Sequence, residues 1–162
     1  MKRSLLFCAA LLAVLPAYAG IVLFRSGAIL RAELSERRPG GFRRLALDEA
    51  PKSPVYAAVT VKLDKGRKIS IFDYSLKIGK RLYPCAAVRD NAENEFAVTC
   101  GGGEKRRCTL FFEIDAAAAK RGGRKLLVCN APGGGEVEIK FADRGDRSFT
   151  RDSDIPDPDA GK

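Results

Sequence analysis

Four cysteines, Cys85, Cys100, Cys108 and Cys129, have the spacing and setting in this chain that most restrict their chemistry. A fifth, Cys8, lies in an apolar N-terminal stretch that the sequence marks for removal. An even set of thiols in an exported chain reads as a disulfide framework, and four thiols allow three connectivities. The close paired spacing of zinc ligands is absent, and the 162 residues include no histidine, so no metal site is expected. The same absence excludes a Ser/His/Asp triad, a Cys/His dyad and histidine-ligated metal hydrolysis. No serine or carboxylate is set apart by its spacing. The chain therefore reads as non-enzymatic, with no catalytic residue and no cofactor.

Cations are the second group able to act. Lys and Arg number 29 against 20 Asp and Glu, a formal net charge of +9. They gather at Lys62/Lys65/Arg67/Lys68, Lys77/Lys80/Arg81, Lys105/Arg106/Arg107 and Lys120/Arg121/Arg124/Lys125. Such clusters suit acidic envelope polymers, anionic lipid or nucleic acid. The candidate anion-binding residues are Lys105, Arg106, Arg107, Lys120, Arg121, Arg124 and Lys125. If successive strands alternate in direction, the first and last clusters fall at one end of the fold and the middle two at the other. Charge so divided leaves no continuous groove, and the scarcity of aromatic residues near these turns argues against nucleic acid. A solvated surface that aids solubility is the expected role.

The elements that must carry these groups are strands. Val55, Ala57, Val59, Val61 and Leu63 alternate with more polar neighbours, the period of a strand with one buried face. Asp64-Lys65-Gly66-Arg67 turns the chain into a second run, with Ser70, Phe72, Tyr74 and Leu76 on one face and Ile69 and Ile71 on the other. Lys77-Ile78-Gly79-Lys80 turns it again towards Tyr83. These three runs predict an antiparallel meander, which needs a second layer over its apolar face. Leu45-Ala46-Leu47 reads as a short first strand, and residues 83–88 and 95–100 as a hairpin. Leu110, Phe112 and Ile114 mark a late strand. Asp115 then caps a one-turn alanine helix ended by Gly122, and residues 124–130 and 136–141 are the last strands.

The ends differ in composition. Met1-Lys2-Arg3-Ser4, an apolar run over residues 5–15 and Ala17-Tyr18-Ala19 form a signal-peptide pattern cleaved after Ala19. Its loss lowers the net charge from +9 to +7. The alternative is an uncleaved membrane anchor over residues 5–24, long enough to span a bilayer. Residues 20–42 read as a basic connector in which 29–34 form a helical turn. Residues 43–142 hold the β-domain, and 143–162 form a tail too polar to order itself.

Seven or eight short strands with regular turns predict a two-sheet antiparallel sandwich. The pattern Tyr56, Val59-Thr60-Val61, Asp73-Tyr74-Ser75-Leu76, Gly79 and Tyr83, followed by Leu110-Phe111-Phe112-Glu113-Ile114, resembles the telokin-like, immunoglobulin-like domains of exported bacterial proteins. That fold group includes the secreted mycobacterial immunoprotective antigen. The similarity covers residues 42–141 and implies an immunoglobulin-like sandwich. It implies no catalytic residue, and it supplies no disulfide pattern, because this chain has no tryptophan and four cysteines in its domain. The expected function is an interaction or structural module of the bacterial envelope, secreted or periplasmic, with an envelope or extracellular partner. Binding of anionic polymers through basic loops is the alternative. For the cysteines, pairing 83–88 with 95–100 about Ala92-Glu93 sets Cys85 opposite Cys100 and leaves Cys108 for Cys129. The rival joins Cys100 to Cys108 across the glycine loop and Cys85 to Cys129.

Overall fold

The computed structural model describes residues 22–24, 26–157 and 159, so the expected signal peptide lies outside the described residues. Within them the chain forms β1 (Val22–Phe24), β2 (Gly27–Ser35), β3 (Pro54–Leu63), β4 (Lys68–Ser70), β5 (Tyr74–Ile78) and β6 (Arg81–Asp90). There follow β7 (Glu95–Ala97), β8 (Thr99–Gly101), β9 (Arg106–Asp115), the one-turn helix α1 (Ala116–Lys120), β10 (Lys125–Cys129), β11 (Glu136–Glu138) and β12 (Ala142–Asp143). The fold is all-β. Eight strands make one hydrogen-bonded path, β1-β2-β3-β9-β6-β5-β10-β11, with β12 beside β2 and β7 beside β6. β4 and β8 form a separate small pair. Only the β12–β2 contact is parallel among the described residues.

The path curls because β6 serves two neighbourhoods. Its first half pairs with β5, Arg81 opposite Ile78 and Pro84 opposite Ser75. Its second half pairs with β7 on one side and β9 on the other. Register against β9 shifts between Cys85 and Ala87, and such a bulge bends a strand and increases its twist. Ala86, the extra residue, offers its carbonyl to the N–H groups of Leu45 (2.8 Å) and Ala46 (3.2 Å). Leu45 and Ala46 thus dock on the bulge, Leu47 is exposed, and the expected first strand does not form at Leu45-Ala46-Leu47.

The alternation read along β3 holds. Val55, Ala57, Val59, Val61 and Leu63 enter the main core with Leu110, Phe112 and Ile114 of β9 and with Leu76 and Leu127 from beyond the bend. The other face of β3 and β9 is covered as well, against expectation. Tyr56, Ala58 and Phe111 pack there with Phe42, Ala86 and Ala87, and Phe96 and Phe149 lie against them. Phe42 meets Tyr56 edge-on with ring centroids 5.4 Å apart, and Phe111 meets Phe149 at 5.9 Å. Edge contacts of this kind each contribute about 0.5–1.5 kcal/mol beyond area burial.

Two terminal segments correct the expected boundaries. Residues 29–34 are not a helical turn in a connector but part of β2, which pairs with β3 so that Ala32 faces Val59. The apolar spacing there also fits a helix, but the unpaired edge of β3 offers a ladder, and that long-range pairing overrides local preference. The tail after Asp143 is ordered. Glu33 accepts bonds from the Thr150 N–H (3.0 Å) and hydroxyl (2.5 Å), Ser35 Oγ donates to the Arg147 carbonyl (2.6 Å), and Ile155 is buried. The tail gains its order from bonds to β2 and β3, not from a core of its own.

The central meander is also corrected. β3 pairs with β2 and β9, whereas Lys68–Ser70 pairs with β8. A capping box ends β4: Ser70 Oγ accepts from the Phe72 N–H and Asp73 Oδ2 from the Ser70 N–H. The resulting 3-10 turn, Ile71–Asp73, buries Ile71 and leaves Phe72 exposed, so the expected single strand is split. The β5–β6 hairpin forms as read, with Gly79 at φ 61° in its turn.

The hairpin register is also as read, with Val88 opposite Ala97 and Asp90 opposite Glu95. It does not carry Cys85 to Cys100. The ladder ends at Ala97, Val98 gives its carbonyl to the Ile71 N–H, and Cys100 pairs instead with Ile69. Cys100 is bonded to Cys108, Cα atoms 6.5 Å apart, while Cys85 and Cys129 are free thiols. The expected Cys85–Cys100 and Cys108–Cys129 bridges are thus corrected, and the rival holds only for its first bridge. Its second is barred by β5. Tyr74 lies opposite Cys129 and one step beyond the Ser75–Pro84 pair, so β5 separates the two thiols by two strand spacings. Two spacings are about 9.5 Å, outside disulfide reach. Gly101, at φ 103°, is required by the bridged loop, since a Cβ there would stand 2.3 Å from the Arg67 carbonyl oxygen.

Candidate anion-binding cleft

Ladder pairing decides which basic clusters meet. β10 runs antiparallel to β5 with Lys125 opposite Ile78, so residues just before β10 lie beside the β5–β6 turn. β3 runs antiparallel to β9 with Lys62 opposite Arg107 and Leu63 opposite Arg106, so their two loops adjoin. The Gly66 N–H reaches the Gly103 carbonyl at 2.7 Å, and the Gly102 N–H reaches that of Arg67 at 2.8 Å. The second cluster therefore joins the fourth, and the first joins the third. This corrects the expected division, which placed first with last and second with third.

The first pairing makes a cleft of about 880 Å³. Lys52, Lys77, Lys80, Arg81, Arg121 and Arg124 supply its cations, and Asp115 is the one carboxylate lining it among the described residues. Ala116, Ala117 and Ala118 form part of its wall, and their small side chains leave the space open. Asp115 does not cap α1 with its side chain, as the sequence suggested. Its Oδ2 is paired with Arg81 and accepts a bond from the Tyr83 hydroxyl at 2.8 Å. Burial raises the Tyr83 pKa, and the bond to Asp115 raises it further, against the opposing effect of Arg81. The Arg81 guanidinium lies over the Tyr83 ring, 5.0 Å from its centroid. Lys77 reaches Glu136 at 3.2 Å and Arg124 reaches Glu138 at 3.1 Å. Lys52, Lys80 and Arg121 have no ion pair among the described residues.

The other pairing is neutralised from within the chain. Arg106 binds Asp90 at 2.5 Å, Lys62 binds Asp157 at 2.6 Å and Asp159 at 2.8 Å, and Arg107 lies 3.6 Å from Asp152. Lys105 is 4.0 Å from Asp159. Lys105, Arg106 and Arg107, expected to bind anions, thus face the protein's own carboxylates. Of the other expected residues, Arg121 and Arg124 line the cleft, whereas Lys120 and Lys125 do not; Lys125 Nζ donates to the Arg121 carbonyl at 3.4 Å. Lys77, Lys80 and Arg81 formed a recognisable cluster in the sequence, and only the β5–β10 ladder reveals what they meet. Lys52, between two prolines, carried no signal.

No family model, curated protein or solved structure matches the chain. Among the described residues, no helix is long and apolar enough to cross a membrane.

Proposed function

We propose that this chain is an exported, non-enzymatic, immunoglobulin-like interaction module of the bacterial envelope whose basic cleft binds acidic polysaccharide. The observation that carries the reading is the cleft itself, where six cations from separate chain segments surround one carboxylate that is already paired. Cations lining a concave surface focus the field and favour a polyanion over a single counter-ion. Export rests on the basic, apolar and small-residue order of residues 1–19 and is supported by the Cys100–Cys108 bond, since such bonds persist in oxidising compartments. The immunoglobulin-like assignment is supported by antiparallel strands packed across one core on both sides of the β6 bend.

Heparin affinity chromatography tests the reading. The chain is expected to elute only at raised salt, and Lys80→Gln/Arg121→Gln/Arg124→Gln to elute markedly earlier. Loss of three contacts lowers the slope of log affinity against log salt by about 2–3. Elution of the unmodified chain at low salt, or equal retention of the triple variant, refutes it.

A further inference from the structure

Arg89 on β6 is half-buried, with its Nε enclosed. Its guanidinium lies over the rings of Phe111 (5.1 Å to the centroid) and Phe96 (5.8 Å). Two buried side-chain nitrogens lack a hydrogen bond among the described residues, Arg31 Nε and Arg89 Nε. The first lies 3.0 Å from Glu33 Oε1. The second has no carboxylate within ion-pair distance among the described residues. Other shielded arginines do not share this condition: Arg44 pairs with Glu113, Arg106 with Asp90 and Arg107 with Asp152. Enclosing one guanidinium nitrogen without a partner is costly, and a fold that keeps one at the wall of a pocket invites a ligand there. Burial lowers the Arg89 pKa, with Asp152 acting in the opposite direction.

The space in front of it agrees. Arg89 lines a pocket of about 510 Å³ with Arg37, Arg38 and Arg151, and Asp152 is its one carboxylate among the described residues. Asp152 is already engaged, by the Asn91 amide at 2.8 Å and by Arg107. The Arg38 guanidinium lies over Phe42, 5.4 Å from the ring centroid, and donates to the Phe42 carbonyl at 3.0 Å. A guanidinium presents a planar fork of donors that matches the oxygens of carboxylate or phosphate. The volume lies in the range of small-molecule sites.

We propose that this pocket, walled in part by the C-terminal tail, binds a small oxyanion-bearing molecule, a carboxylate or a phosphate monoester, with Arg89 as its anchor. It is separate from the polysaccharide cleft and does not depend on it. The class is an oxyanion because four arginines face one occupied carboxylate, and a neutral ligand would leave Arg89 uncompensated.

The test is NMR titration of the arginine Nε–Hε resonances with inorganic phosphate and, separately, with acetate. A saturable shift at Arg89 is expected with at least one probe, and the stronger response names the ligand class. Read at the Arg38 resonance, which lines the same pocket, binding should weaken at least about tenfold in Arg89→Met, as on loss of a charged partner. Arg151→Gln should weaken it as well, and Arg121→Gln, in the other cleft, should leave it unchanged. Without probe, Arg89→Met should melt at a higher temperature, because a half-buried cation whose Nε lacks a partner has been replaced by an apolar side chain. No shift with either probe at tens of millimolar, or a shift that survives both Arg89→Met and Arg151→Gln, overturns the proposal.

Discussion

Lys62 Nζ, near the end of β3, lies 2.6 Å from Oδ1 of Asp157, 95 residues later in the chain. With the Asp159 contact at 2.8 Å it fixes the acidic tail over a cation that would otherwise extend a basic face. The tail thus acts on charge and on packing together, since Ile155 and Phe149 are laid down with it.

Acid should release this tail. The bond to Lys62 lowers the Asp157 pKa, and the bonds to Asp157 and Asp159 raise that of Lys62. The Asp157 contribution is present above its unfolded pKa of about 3.9 and is lost as pH falls through the lower folded value. The Lys62 contribution is complete below about pH 10.4 and is lost only as pH rises through the higher folded value. Amide exchange over residues 152–157 should therefore accelerate, after correction for intrinsic rates, once pH falls below about 4. Raised salt should weaken the exposed contacts at neutral pH as well. Protection that is unchanged in both conditions would show that the ion pairs do not hold the tail.

Removing the bridge should cost stability without changing the fold. Cys100 and Cys108 are eight residues apart, and loop-closure entropy for so short a loop gives about 2.5 kcal/mol. Cys100→Ser/Cys108→Ser should show a loss of that size in urea unfolding. Non-reducing peptide mapping of the unmodified chain should recover Cys100 linked to Cys108. A Cys85–Cys100 fragment would contradict the assignment.

The two free thiols should react differently. Cys85 is wholly enclosed, and burial pushes its pKa up to about 12. Thiolate is the reactive form, so Cys85 should resist alkylation in the native state. Cys129 is only partly buried and should label first. In the form beginning at Gly20, mass spectrometry after brief iodoacetamide treatment should find one modified cysteine in the native state, at Cys129, and a second only in denaturant. Native labelling of Cys85 would show that the β6 bend opens.

Local sequence determined what period and turn chemistry can encode. The inward set of β3 and the late-strand set of Leu110, Phe112 and Ile114 follow from alternation, because successive side chains on a strand must face opposite ways. The β5–β6 turn and the register of Val88 against Ala97 follow from short loops that leave few ways to close. Neighbours across the fold follow from no such rule. A strand's period states which face it buries and not which strand it joins, so β2 and β9, far apart in sequence, took the edges of β3 that a meander would have filled. Those pairings chose which basic clusters meet. The bulge at Ala86 and the departure of the chain at Val98 then undid a disulfide that a correct local register had implied. Arg89 shows the limit most clearly. Its triplet Val88-Arg89-Asp90 is ordinary strand sequence, and it became a half-buried cation with an enclosed, unpartnered Nε only when Phe96 and Phe111 closed against it. Burial is a property of what packs on a residue, and for Arg89 the tertiary structure alone supplied it.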